Sequence, residues 1–421
     1  MEETGLFLAL ALAFLFAMFG ARITRNYFTA PMVFITIGFL FGQWNLIELS
    51  EAKENLHTIA EVALVILLFL DAAQIDLKAL RSHQTWPARM LVIGMPLAIL
   101  IGTIVTYAFF PSWPLVACAL VAALLAPTDA ALGQAVISNP LIPERVRNGI
   151  TVESGLNDGM ALPIILLFAS LTAEVADVGG TDWLLFGAQQ LILGPIAGVV
   201  VGLAGSTVML FCNRRGYTST IYEGVGALAL AGTAYLFAEV IGGNGFISAF
   251  VAGLAFGSQV KGGCKFVFEF AESDGQILVW AAFFLLGLSL LPEALANLDF
   301  RILLLVLANL FIVRPLAIWI SLMGTQASSI TRLFFGWFGP RGLATALFAL
   351  LIIEQIEGPY ADTIMAIAIN AVWISALLHG ISASPAARAY ANQAEEMGDC
   401  AEKMPMPKSF EAMDGGDAKT S

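Results

Sequence analysis

The chain has 421 residues, of which 58% are hydrophobic and only 12% charged, with a mean hydropathy of +0.83. Soluble domains carry roughly a quarter charged residues, so this composition excludes a soluble globular protein and points to an integral membrane one. The formal net charge of −12 argues against nucleic acid as a partner.

Apolar stretches long enough to cross about 30 Å of hydrocarbon recur at residues 5–20, 28–45, 57–71, 88–110, 113–137, 145–171, 184–212, 219–240, 243–258, 276–291, 300–322, 331–353 and 360–383. They predict an all-α polytopic membrane protein with about 13 transmembrane helices. The first span follows Met1-Glu2-Glu3, which is acidic where a secretory signal is basic, and is therefore read as a retained helix. Arg22, Arg25, Lys78, Arg81, Arg89, Arg145, Arg147, Arg214, Arg215, Lys261, Lys265 and Arg332 fall on every second connection, and the opposite ones hold only Lys53 and Arg301. The positive-inside rule then places the N-terminus outside and the C-terminus in the cytoplasm. Acids concentrate on the outer connections, at Glu48, Glu51, Glu54, Glu174, Asp177 and Asp182.

The fifth span contains Pro127-Thr128-Asp129, and the twelfth contains Gly339-Pro340-Arg341-Gly342. Proline removes a backbone donor and clashes with the preceding turn, so each helix is expected to be interrupted there. Irregular backbone at membrane depth survives only inside protein or beside a water-filled cavity. The two copies lie about seven spans apart, an odd spacing that makes them antiparallel, as in the inverted repeats of secondary transporters. Between them, the sixth span holds Glu153-Ser154-Gly155-Leu156-Asn157-Asp158. Ionisable groups inside a span are expensive and mark function. The remaining polar features read more plainly: Arg314 beside Pro315 as a seam or interface residue, Glu239 as interfacial, and His57, His83 and His379 as surface histidines near span ends. Gly194, Gly198, Gly202 and Gly205 read as close helix packing, within the chain or at a dimer contact. Cys118, Cys212, Cys264 and Cys400 form neither a disulfide frame nor a metal-ligand spacing. From about residue 392 the apolar runs stop, and a poorly ordered tail is expected.

On a helix, residues four apart share a face, so Ser154 and Asp158 project together, with Glu153 and Asn157 on the adjacent strip. With Asp129 and the carbonyl of Thr128 from the broken helix they would make an all-oxygen cage, the ligand set of hard cations. No histidine or cysteine stands near, which disfavours a transition metal. Arg341 is expected to pair with Glu153, sparing each the burial of a lone charge.

Thr128-Asp129 in a broken span, Glu153-Ser154-x-x-Asn157-Asp158 in the next, and Gly339-x-Arg341-Gly342 late in the chain resemble the cation/proton antiporters of the NhaP and NHE branch, over roughly residues 5–383. The resemblance implies a membrane domain over 1–391, with a core bundle over approximately 88–171 and 300–383 and a dimerisation domain from the remaining helices. It also implies a homodimer in the plasma (inner) membrane, a short cytoplasmic tail at 392–421, and exchange of Na⁺ or Li⁺ for H⁺ by elevator-like movement of the core. Asp158, Asp129, Ser154 and the Thr128 carbonyl would hold the ion, Glu153 and Arg341 would form a structural ion pair, and Asn157 would orient them. Family members with Asn-Asp at the place of Asn157-Asp158 are electroneutral, which implies one cation per proton. No cofactor is implied. The stretch Leu70-Asp71-Ala72-Ala73-Gln74-Ile75-Asp76 departs from the family's wording, so no funnel role is carried over to Asp71.

Antiport needs only that a cation and a proton compete for one carboxylate site, whose acids titrate as a coupled set. A K⁺/H⁺ antiporter meets the same description. A cation channel differs in lacking a saturable, proton-coupled flux, and an intramembrane aspartyl protease would want Tyr-Asp and Gly-x-Gly-Asp settings that the chain lacks.

Overall fold

The structure, a computed structural model, describes residues 2–23, 28–47, 49–75, 85–137, 139–175, 183–260, 275–353, 356, 360–397 and 400–404. All regular structure among the described residues is helical. In chain order the helices are α1 (Glu2–Ile23), α2 (Ala30–Gln43), α3 (Leu49–Gln74), α4 (Thr85–Phe109), α5 (Leu115–Leu124), α6 (Ala130–Ile137), α7 (Glu144–Val175) and α8 (Trp183–Arg214). There follow α9 (Thr220–Val240), α10 (Gly245–Val260), α11 (Gln276–Ala296), α12 (Phe300–Ser321), α13 (Ser329–Trp337), α14 (Leu343–Ile353) and α15 (Ala361–Glu396). Among the described residues, seven of them are long and apolar enough to cross a membrane, with mean hydropathies from 1.3 to 2.3, and shorter apolar helices stand beside them.

Proline explains most irregularities. Helices α5 and α6 are separated by non-helical backbone at 125–129 around Pro127, and α13 and α14 by 338–342 around Pro340, so both expected interruptions are present. Elsewhere the helix widens instead of breaking. One-turn π segments at 90–94, 286–290 and 309–313 each end two residues before a proline, at Pro96, Pro292 and Pro315. A π turn absorbs the carbonyl that would otherwise meet the proline ring, and such bulges recur at functional sites.

The two breaks meet. The Asp129 backbone N–H donates to the Pro340 carbonyl at 2.9 Å, and the Leu343 N–H donates to Asp129 Oδ2 at 2.9 Å. Each unwound segment thereby satisfies polar backbone of the other, which a water-free interior demands. Gly342 is obligatory here, because a Cβ added to it would lie on the Asp129 carboxylate.

A second group of helices packs beside this crossing. Gly194, Gly198 and Gly202 of α8 face Asn244, just before α10, and Ser248 and Ala252 within it at backbone contact distance, so three of the glycines serve packing within the chain. Helix α10 in turn lies against α3, with Gly253 and Gly257 against the backbone of Phe69 and Ala73. The last helix runs to Glu396, well past the expected end of its span, and a short turn at Ala401–Lys403 folds back with Ala401 and Glu402 buried. The first part of the expected tail, residues 392–397 and 400–404, is thus ordered; 405–421 lie outside the described residues. Cys118, Cys212 and Cys400 are free thiols, and Cys264, His83 and Asp76 also lie outside the described residues.

Candidate functional site

Helix α7 supplies four polar side chains at the crossing. Glu153, Ser154 and Asn157 are buried and Asp158 is half-buried. The Thr128 hydroxyl, in the first break, stands at their centre. It donates to Glu153 Oε2 at 3.2 Å, lies 3.1 Å from Ser154 Oγ, and accepts from the Asn157 amide. Asn157 therefore ties the α7 strip to the broken segment that carries Asp129. Asn157 Oδ1 and Asp158 Oδ1 are buried with no hydrogen-bond partner. Two unpartnered oxygens beside a hydroxyl cluster are what an oxygen-seeking cation or a proton would complete.

The expected Glu153–Arg341 pair is not formed. Glu153 is held by Arg314, with Nη1 to Oε1 at 3.1 Å and Nη2 to Oε2 at 3.0 Å. Such two-pronged pairing is the strong form of the carboxylate–guanidinium contact. Arg341, 1% exposed, donates instead to the Gly339 carbonyl and to Asn309 Oδ1, both at 2.9 Å. The π turn at 309–313 accounts for the exchange of partners. It puts Asn309 and Arg314, at its two ends, on the inward side, so that α12 offers an acceptor to one arginine and a donor to the acid. The signal was a charge beside a proline in an apolar span, the same mark that singled out Asp129 and Arg341; nothing in the sequence marks Asn309.

Asp158 lies within electrostatic reach of Asp129, Asp71 and Glu153, and Asp71 within reach of Asp129. Asp71, on α3, thus belongs to the acidic cluster although its local wording gave it no role. It lies between buried Leu70 and Ala72 and is itself exposed. Thr151, Gly155 and Asp158 share the α7 face turned to it; Gly155 lies against Asp71 and Ile75, and Thr151 is exposed. Asp71 and Thr151 are thus the exposed residues of a seam between the end of α3 and the start of α7. On the other side of Asp158 the packing is closed: Gly159 abuts the Phe250 ring so tightly that a Cβ there would enter it, and Ala161 and Leu162 are buried.

Among the described residues no three His, Cys, Asp or Glu side chains converge to hold a resident metal ion. An ion that passes through as substrate is met differently, by hydroxyl, carbonyl and carboxylate oxygens that it can leave again. His379, expected at the surface, is buried beside the second break. His57 has no described side-chain environment. Glu239 is exposed and accepts from the Gly245 N–H at 2.9 Å, capping α10.

Two interrupted helices meeting beside buried acids define a multi-pass membrane protein of the secondary-transporter class. The sequence profile of the family described as sodium/hydrogen exchanger, transmembrane, matches residues 10–389, and the chain belongs to that family. It is 27% identical over 366 residues to the K(+)/H(+) antiporter NhaP2 of Shewanella sp. (strain ANA-3), covering 85% of this chain and 62% of the relative. It is 26% identical over 313 residues to the Na(+)/H(+) antiporter 2 of Zygosaccharomyces rouxii, covering 71% of this chain and 39% of the relative. The chain thus spans less than two thirds of the length of these relatives, which are named as transporters and not as enzymes. The fold is that of the sodium proton antiporter MjNhaP1 from Methanocaldococcus jannaschii, with a TM-score of 0.75 at 20% identity, covering 91% of this chain and 97% of that one.

Proposed function

We propose that this chain exchanges a monovalent cation, Na⁺ or Li⁺, for H⁺ across the membrane, one for one. Asp158 is the shared carboxylate, and Asp129, Ser154 and the Thr128 carbonyl complete the cation's oxygen ligands. Glu153 and Asn157 hold the site in shape, with Arg314 in the pairing role first expected of Arg341. The observation that carries this reading is the unpartnered Asp158 Oδ1, buried next to a hydroxyl hub and a second acid.

The stoichiometry follows from charge. The acids Glu153, Asp129 and Asp158 face two buried guanidiniums, Arg314 and Arg341, which leaves one negative charge on this part of the cluster; Asp71, its exposed member, is left out of the count. One proton or one monovalent cation neutralises that part, and the two therefore exclude each other. A neutral site can pass the apolar surface of α10 and α3, whereas an empty one carries a charge that is costly to move through low dielectric. In the same reading the core over approximately 88–171 and 300–383 moves against the other helices, the protein is a homodimer in the plasma membrane, and the basic connections place its C-terminus in the cytoplasm.

The names of the Shewanella relatives favour one second reading, K⁺ in place of Na⁺. Proton flux into and out of proteoliposomes, driven in turn by Na⁺, Li⁺ and K⁺, tests both. Saturable flux is expected from the wild type and none from Asp158→Asn. Undiminished exchange in that variant overturns the proposal, and saturation with K⁺ alone decides for the second reading.

A further inference from the structure

The last helix presents a histidine to the second break, and nothing in the exchange reading uses it. His379 of α15 is almost fully buried. Its Nε2 lies 2.8 Å from the Trp337 carbonyl, the last of α13, and its ring stacks on the Trp337 indole at 4.7 Å between centroids and 24° between planes. Its Nδ1 faces Ser375, 3.1 Å from the hydroxyl and 2.9 Å from the carbonyl. Each ring nitrogen faces a carbonyl, which can only accept: the tautomer protonated on Nε2 donates to Trp337 and leaves Nδ1 to accept from the Ser375 hydroxyl, whereas the one protonated on Nδ1 donates to the Ser375 carbonyl. The oxygen of that hydroxyl accepts in turn from the Arg341 backbone N–H at 2.7 Å. In the Nε2 tautomer, the one that grips Trp337, donors and acceptors run in one direction from Arg341 through Ser375 and His379 to Trp337.

The strut holds the break at both ends. Between its anchors, the Pro340 carbonyl receives the Asp129 N–H, and two residues after Arg341 the Leu343 N–H reaches Asp129 Oδ2. Irregular backbone has no helical ladder to fix it, so its path is set by whatever side chains grip it. We infer that His379, acting through Ser375, is a positioning residue that fixes the backbone over 337–343 and so aims the Pro340 carbonyl and the Leu343 N–H at Asp129. This rests on the exchange reading above and deepens it: the strut sets how well Asp129 is placed for the cation, while Asp158 supplies the exchange itself.

The test is cation-driven proton flux in proteoliposomes over a series of Na⁺ and of K⁺ concentrations, for wild type, His379→Leu, His379→Gln, Ser375→Ala and Asp158→Asn. Loss of one net hydrogen bond corresponds to a rise of roughly two- to tenfold in the half-saturating cation concentration; that rise is expected for His379→Leu and Ser375→Ala, with maximal rates close to wild type. His379→Gln keeps an amide N–H for the Trp337 carbonyl and is expected to stay near the wild-type half-saturation. Wild-type half-saturation in His379→Leu, or losses of maximal rate alone in all three strut variants, overturns the inference. Should His379→Leu fail to accumulate as folded protein, Ser375→Ala decides in the same way, its wild-type half-saturation overturning the strut. A wild type without cation-driven flux, or an active Asp158→Asn, sinks the exchange reading itself, whereas normal exchange with unshifted strut variants sinks only the strut.

Discussion

Arg314 shows how closely a single charge is bound to its surroundings. Its guanidinium and Glu153 neutralise each other in a buried pocket, and removing one partner strands the other. Arg314→Gln is expected to destabilise the fold by about 3–5 kcal/mol, the usual consequence of an uncompensated buried charge, read as a lower melting temperature in detergent. Combining it with Glu153→Gln should restore much of the loss; a double variant no more stable than the single one would contradict the pairing. The acids of this cluster were legible in the sequence, because a carboxylate in an apolar span has few reasons to be there. The choice between two arginines, each beside a proline, was not. Sequence spacing cannot tell that a π turn rotates Arg314 toward Glu153 and gives Arg341 the amide of Asn309 instead. His379 was missed for a related reason: it lay near the expected end of the span at 383, but α15 runs on to Glu396, which leaves the imidazole well inside the helix. Asp71 was set aside on its local wording, although it lies within electrostatic reach of Asp129 and Asp158 on other elements.

At the scale of elements, prolines marked where helices deviate but not how. Pro127 and Pro340 end helices, Pro96, Pro292 and Pro315 follow π turns, and Pro163, Pro195 and Pro385 sit inside continuous helices. What distinguishes the first pair is the partner waiting for the freed backbone groups, since each break is satisfied by the other. The crossing leaves no room at Gly342. Gly342→Ala should push the Asp129 carboxylate from its place, at a cost of about 1–3 kcal/mol typical of overpacking, and should lower cation-driven exchange more than it lowers stability. Exchange assays beside melting curves separate these effects, and wild-type exchange in Gly342→Ala would show that the carboxylate tolerates displacement.

Across the whole molecule, the span order and the paired breaks could be read before any coordinates, because hydropathy and proline leave strong marks. The folding back of the chain after α15 could not, since residues 385–396 are rich in helix-forming Ala, Arg, Gln and Glu without being apolar. There Glu402 Oε1 accepts from the Ser328 N–H at 2.9 Å and from the Thr331 hydroxyl at 2.8 Å, at the start of α13. Arg145, near the start of α7, lies over the Trp86 ring and donates to the Ala401 carbonyl at 2.7 Å. Burial alone would raise the Glu402 carboxyl, but these hydrogen bonds outweigh it and hold the group below its ordinary value of 4.5. A depressed carboxylate stabilises the fold above its unfolded value, and the contribution fades as pH falls through the folded one. Glu402→Gln should therefore be less stable than wild type at neutral pH by about 1.5–3 kcal/mol, the scale of hydrogen bonds to a charged acceptor. The gap should close as the solution is acidified below 4.5, and a gap that stays constant with pH would refute the assignment.

The ring of Phe250 against Gly159 has an electrical consequence. In the proposed exchange, water reaching the exposed Asp71 would carry the bulk potential of one compartment with it, and the membrane voltage would not fall evenly over the bilayer. It would then drop across the packed layer of Phe250, Ala161 and Leu162. A lone charge crossing that layer would feel nearly the whole field, about 2.3 kcal/mol per 100 mV. A carrier that crosses neutral in both directions feels almost none, and its turnover would keep pace through swings in voltage that would stall an electrogenic relative.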